Sequence, residues 1–188
     1  MSYLFSLFEK YSELKVLRFL LSSGSGIHLN EISRRTKTSP STVSKLLSGL
    51  QKDGLIEKQV IGTSHVFKVK SESPVIRQLK VFINVSLLTE FKVVEKILEV
   101  DELVHSIVLY GSFADGSNDA KSDFDLLVIS DNKYRFNSVA QFLEKKTGVA
   151  TSITAFSVLD WKKCRENNKA FHDSVKLNHI ILFGSELF

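Results

Sequence analysis

The sequence predicts an α+β chain: a small helical domain closed by a β-hairpin, then a helical connector, then an α/β domain. Three observations carry this. Residues 29–53 hold two short helical patterns split by a tight turn, and the alternating segments Leu55–Ile61 and His65–Lys70 follow them. From Pro74 to Val100 apolar residues recur at helical spacing. Beyond Asp101, strand-length apolar runs alternate with helical patterns, and two of those runs flank a polar loop rich in small residues and carboxylates. The implied domains are residues 1–72, a connector at 73–100, and residues 101–188.

Length and composition set the bounds. A chain of 188 residues holds one domain or two small ones. No apolar run approaches the roughly 20 residues of a membrane span, and Met1-Ser-Tyr-Leu-Phe lacks the basic region and cleavage site of a signal peptide, so a cytoplasmic protein without membrane contact is expected. Cys164 is alone, which removes a disulfide framework or a zinc set and leaves a small, partly buried side chain. The net charge of +4 is unevenly spread: residues 1–72 hold 11 Lys and Arg against 6 Asp and Glu, whereas residues 101–188 hold 10 against 12. That asymmetry suggests nucleic acid for the first part and a metal-nucleotide site for the last.

In order along the chain, Tyr3–Leu21 reads as helical, with Leu14, Leu17, Leu20 and Leu21 on one face and Ser22-Ser-Gly-Ser-Gly26 as its stop. Tyr3, Leu4, Phe5, Leu7 and Phe8 are too apolar to stay in water and either pad the domain or form a dimer contact. Leu29–Thr36 is a short helix with Asn30 as its expected cap, and Lys37-Thr-Ser39 forms the turn. Ser39-Pro40 then opens a helix by N-cap and N1 proline, and Gly54 closes it. Val43, Leu46, Leu47 and Leu50 make its inner face; Ser41, Thr42, Ser44, Lys45, Ser48 and Lys52 lie opposite. Two helices joined this way, the second polar and basic outside, describe a helix-turn-helix.

This segment and the hairpin resemble the winged-helix fold of prokaryotic transcription regulators over about residues 10–72. The resemblance implies a double-stranded DNA partner. Thr42, Ser44 and Lys45, with Ser41 beside them, are the candidates for base edges; Arg34, Arg35, Lys37, Lys58 and Lys68 are candidates for phosphates, which position without reading sequence. In the connector, Ile76, Leu79, Ile83, Leu87, Phe91, Val94 and Leu98 form a stripe widened by Phe82, Leu88 and Ile97, to be covered by the domains or by a second copy.

The chemistry concentrates after Ile107-Val-Leu109. Ten residues after Gly111-Ser112, the last of them Ser122, Asp123-Phe124-Asp125-Leu126 enters a second apolar run. On a strand, residues two apart share a face, so Asp123 and Asp125 present adjacent carboxylates while Phe124 and Leu126 turn inward. Like charges so close raise one pKa unless a cation joins them, and Mg²⁺ takes such oxygens while keeping places for water and phosphate. Gly111 lets the backbone approach an anion, and Ser112 with neighbouring N–H groups can cradle a terminal phosphate. Three further elements, Phe136–Lys146 as helix, Ala150–Ser157 as strand and His179–Gly184 as a last short strand, complete the α/β pattern, with short helices at Trp161–Glu166 and Ala170–Leu177.

Gly111-Ser112 with Ser122-Asp123-Phe124-Asp125 resembles the GS…DxD motif of the nucleotidyltransferase superfamily, the DNA polymerase β-like fold, in minimal form over residues 101–188. The resemblance implies Gly111, Ser112 and Ser122 at the nucleotide, Asp123 and Asp125 as catalytic metal ligands, Mg²⁺ as cofactor and an NTP, ATP first among them, as ligand or substrate. Members that transfer nucleotides place a third carboxylate on the strand equivalent to Ala150–Ser157. Here that strand reads Thr151-Ser-Ile-Thr-Ala-Phe156, with Ser152 in the slot. Asp160 is read as a charge at a helix start, Lys121 and Arg135 as solvated, and His28, His65, His105, His172 and His179 as lacking metal-ligand spacing. The whole is read as a DNA-binding regulator, a homodimer, whose nucleotidyltransferase-like domain senses a Mg²⁺-nucleotide or transfers slowly. The alternative is an active enzyme moving NMP to a protein, RNA or small-molecule hydroxyl, of the antitoxin or antibiotic-modifying type.

Overall fold

The computed structural model describes residues 10–23, 26–61, 64–132 and 136–185. The expected cluster at Tyr3–Phe8 and the side chain of Arg135 lie outside them. The chain divides into two compact units, Met1–Ser86 and Leu87–Phe188.

In the first unit α1 (Ser12–Ser22), β1 (Ile27–His28), α2 (Leu29–Thr36), α3 (Pro40–Lys52), β2 (Ile56–Ile61) and β3 (Ser64–Val69) follow one another, and α4 (Pro74–Glu90) continues from them. Val16, Leu20, Ile32, Val43 and Leu47 are buried at the centre of the three-helix cluster. The helix start at Ser39 is as the sequence demands: its hydroxyl accepts from Thr42 N–H at 3.2 Å, with Pro40 in the first turn. The start of α2 is different. His28, not Asn30, occupies the cap position, without a side-chain cap bond. The reason is β1, whose two residues pair with β3 (Ile27 with Phe67, His28 with Val66), so the chain turns from strand directly into helix. The turn between α2 and α3 passes through Lys37 at φ 52 and is fixed by Ser33 Oγ donating to Thr38 O at 2.6 Å.

The helical stripe Pro74–Val100 is two helices. α4 ends at Glu90, Lys92 adopts left-handed backbone at φ 51, and α5 spans Val93–Val100. No glycine, proline or asparagine marks this break, so periodicity ran across it. Phe82, placed on the widened stripe, is exposed.

In the second unit β4 (Val104–Tyr110), α6 (Ser112–Asp115), β5 (Phe124–Ser130), α7 (Asn137–Thr147), β6 (Thr151–Phe156), α8 (Val158–Asn167), α9 (Lys169–Leu177) and β7 (His179–Gly184) follow α5. The sheet order is β6-β5-β4-β7, with β5 and β6 parallel and the other pairs antiparallel. Both faces are covered. Val108, Tyr110, Leu127 and Ile129 pack with Trp161, Cys164 and Val175 from α8 and α9, and by alternation Ile107, Leu109, Leu126 and Val128, all fully buried, point to the other side. Each such side chain contributes roughly 1.5–3 kcal/mol by leaving water. Burial pushes the Cys164 thiol up, which keeps it protonated and inert. No helix among the described residues is long and apolar enough to cross a membrane.

Candidate functional site

The site is built where β4 ends and β5 begins. Gly111 follows Tyr110 at φ +73, ψ −156, a conformation essentially confined to glycine. A Cβ there would meet Asp125 Oδ2 at 3.0 Å. Ser112 opens the four-residue helix α6, a turn of helix inside what the sequence shows only as a polar loop, and Gly116 ends it in the left-handed region. Phe113 of this helix packs against Phe124 with ring centroids 4.0 Å apart and the planes tilted by 38°. Both rings are buried, so the apolar residue between the two carboxylates anchors the Gly111-Ser112 turn against them.

Asp123 is exposed and Asp125 half-buried. Burial first, and then the charge of Asp123, push the Asp125 carboxyl up. Neither carboxylate has a hydrogen-bond donor or a cation beside it among the described residues. Nor does any group of three or more His, Cys, Asp or Glu side chains among them form a metal cage. A pair of unsatisfied carboxylates beside a backbone turn that only glycine fits is suited to a Mg²⁺ ion, which typically takes one or two protein oxygens and completes its shell from water and phosphate.

The register places one row of side chains across the sheet on this face. Ser152 of β6 is opposite Asp125, Asp125 is opposite Tyr110, and Tyr110 is opposite His179 of β7. Ser152, assigned to the slot beside the pair, is exposed. Tyr110 was not singled out in the sequence. Its hydroxyl is hydrogen-bonded to Thr154, and burial, then the Asp125 charge, push it up; Phe171 meets its ring edge-on at 5.7 Å. Tyr110 thus walls the inner side of Asp125. His179, read as bland from spacing alone, comes to the same row, its Nδ1 3.2 Å from Lys176 O; only the strand register brings it there.

Other candidates are placed differently. The Ser122 hydroxyl is engaged in its own turn, accepting from Asp119 N–H at 2.9 Å and donating to Asp119 Oδ1 at 3.1 Å. Asp160 takes the helix-start role: Ser157 caps α8 by accepting from Asp160 N–H at 3.0 Å and donates to its carboxylate. Lys121 is exposed.

On the first unit, Ser41, Ser44 and Lys45 are exposed on α3, while Thr42 is half-buried with its hydroxyl 2.8 Å from Ser39 Oγ. Arg34, Arg35 and Lys37 are exposed at the end of α2. Arg34 pairs with Glu31 at 3.2 Å, and Arg35 lies 5.8 Å from the Phe19 ring centroid. Lys58 and Lys68 do not act together: the hairpin register sets Lys58 opposite Phe67 and Lys68 opposite Glu57, hence on opposite faces.

Comparisons with known proteins agree with both halves. Residues 10–63 match the model of the MarR family, and residues 92–186 match that described as polymerase beta, nucleotidyltransferase. No curated protein matches. Among solved structures, a toxin-antitoxin with AMP-PNP is similar at 17% identity, covering 50% of this chain and 73% of that one, with a TM-score of 0.38. A mutant of the toxin-antitoxin MntA-HpeT is similar at 15% identity over the same shares, with a TM-score of 0.40. A predicted DNA-binding transcriptional regulator from E. coli is 28% identical, covering 40% of this chain and 83% of that one, with a TM-score of 0.31. With a MarR-type winged helix in its first third, the chain belongs through residues 92–186 to the polymerase beta nucleotidyltransferase family.

Proposed function

We propose that this protein is a DNA-binding transcriptional regulator whose second unit binds a Mg²⁺-nucleotide. The observation that carries the nucleotide half is the pair Asp123 and Asp125, which has no hydrogen-bond donor or cation beside it among the described residues, with Asp125 lying against Gly111. Under this reading the two carboxylates hold Mg²⁺, which neutralises triphosphate charge when bound, while Gly111 and Ser112 receive phosphate oxygens. Ser122 supports the loop through Asp119. α3 enters the major groove with Ser41, Ser44 and Lys45 outward, and Lys37 and Lys68 meet phosphates; Arg34 and Arg35 reach DNA by exchanging their present contacts. The regulator acts as a homodimer on a two-fold operator, and a monomer by light scattering at high concentration overturns that part.

The test of the nucleotide half is titration of Mg²⁺-ATP into wild type and Asp123→Ala. Saturable binding to wild type and its loss in the variant is expected; absence of binding to both removes the nucleotide half. The family match over residues 92–186 supports a second reading, a transferase acting on an external hydroxyl. For it, label from NTP appears on a component of cell extract and is lost with Asp125→Asn.

A further inference from the structure

Resting on the nucleotide-binding reading above, we propose that Ser152 is a nucleotidylation site: the chain transfers NMP from a bound NTP to its own Ser152 hydroxyl. Three observations place it there. The register puts Ser152 directly beside Asp125 on the same face. It is exposed, and its hydroxyl makes no hydrogen bond among the described residues. Three neighbouring hydroxyls are engaged, Ser122 with Asp119, Thr151 with Val149 O at 3.3 Å and Thr154 with Tyr110, while Ser112 is the residue read as receiving phosphate. β6 carries no charged side chain, so an anionic α-phosphate approaches it without the repulsion that a carboxylate at this position would exert.

The step balances without another reactant. Ser152 Oγ attacks the α-phosphorus, an Oγ–P bond forms, and the bond from that phosphorus to the bridging oxygen breaks. Pyrophosphate leaves with the electron pair, and the hydroxyl proton passes to solvent, to which Ser152 is open. Lack of a positioned base slows such a transfer by about 10²–10⁴. An internal nucleophile offsets this, because well-oriented intramolecular reactions reach effective molarities on the order of 10⁵–10⁸ M. An external hydroxyl has no such advantage. The product is a covalent record of nucleotide supply on the regulator itself.

The full chain is incubated with Mg²⁺ and an equimolar mixture of ATP, GTP, CTP and UTP, and intact mass and peptide mapping are read beside a nucleotide-binding assay. One nucleotidyl group on Ser152, with pyrophosphate released in equal amount, is expected. Ser152→Ala gains none, while Thr151→Ala, altered one residue away on the opposite face, retains the gain. Ser152→Asp also gains none and binds Mg²⁺ alone more tightly, by roughly tenfold or more, the scale on which changes around a metal's ligands move affinity. Unchanged Mg²⁺ affinity overturns the placement of Ser152 at the cation. Binding without a mass gain, or a gain on Ser112 or elsewhere, overturns the inference alone. No nucleotide binding at all overturns the reading beneath it as well.

Discussion

A carboxylate stands at each end of the central strand pair of the second unit, Asp101 just before β4 and Asp125 at the start of β5, and the two have opposite fates. Asp101, at the far end, is 3% exposed and saturated with donors: Ser130 Oγ, Asn132 Nδ2 at 2.9 Å and Leu103 N–H at 3.0 Å. Burial alone pushes its carboxyl up, but these bonds and nearby His105 outweigh burial and hold it below the ordinary value of 3.8. Asp125, at the near end, is half-buried, and burial first and then the charge of Asp123 push its carboxyl up, with no donor among the described residues to offset them. Donors, more than depth, decide which carboxylate belongs to the scaffold and which waits for a ligand.

The largest expected effect falls on the satisfied end. Asp101→Ala strands the donors of Ser130, Asn132 and Leu103 and should cost about 2–4 kcal/mol, read as a lower midpoint in urea unfolding. A loss below 1 kcal/mol, the scale of exposed positions, would show that the cluster is not structural. The two ends also bend the pH profile in opposite senses. Asp101 supplies stability that is complete above its unfolded value of 3.8 and is lost as pH falls through its depressed folded value. Asp125 binds its proton more tightly folded than unfolded, so stability declines as pH rises from 3.8 through its raised value. Asp101→Asn should therefore flatten the acid limb, and Asp125→Asn the decline above it.

This contrast explains what the sequence made legible. The Asp123-Phe124-Asp125 pattern and the Gly111-Ser112 turn are local, so residue spacing offered the near end as a site, whereas Ser152 entered only through the resemblance, alternation saying no more than that Ser152 and Thr154 share a face. The far end was invisible: the partners Ser130 and Asn132 lie 29 and 31 residues beyond Asp101, and only the pairing of β4 with β5 unites them. Tyr110 and His179 were hidden for the same reason. β1 is two residues long and α6 four, too short for any period to show, and the Lys92 break sits in an unbroken helical pattern.

The next effect is at Gly111. Gly111→Ala forces an L side chain into φ +73 and brings its Cβ to 3.0 Å from Asp125 Oδ2. Backbone strain of this kind costs roughly 1–3 kcal/mol, and the displaced carboxylate should weaken Mg²⁺ binding. Calorimetric titration of Mg²⁺ with unfolding of the same sample separates the two losses. An unchanged Mg²⁺ affinity alongside lowered stability would mean that the turn serves the fold alone.

The smallest effect has the opposite sign. Asp125→Asn removes an unanswered, half-buried charge and its repulsion with Asp123, so the metal-free protein should become more stable at neutral pH by about 1 kcal/mol, the range in which relief of functional-site strain falls. Mg²⁺ should reverse the ranking. A ligand that binds only the folded state stabilises it by RT ln(1 + L/Kd), with L the free ligand concentration, so wild type gains Tm as Mg²⁺ is added and the variant does not. The two melting curves, taken across a Mg²⁺ series, should therefore cross. If the variant is no more stable than wild type without Mg²⁺, the Asp125 charge is answered in solution and the contrast with Asp101 fails. If it is more stable but Mg²⁺ raises both equally, the strain is real and the cation binds elsewhere.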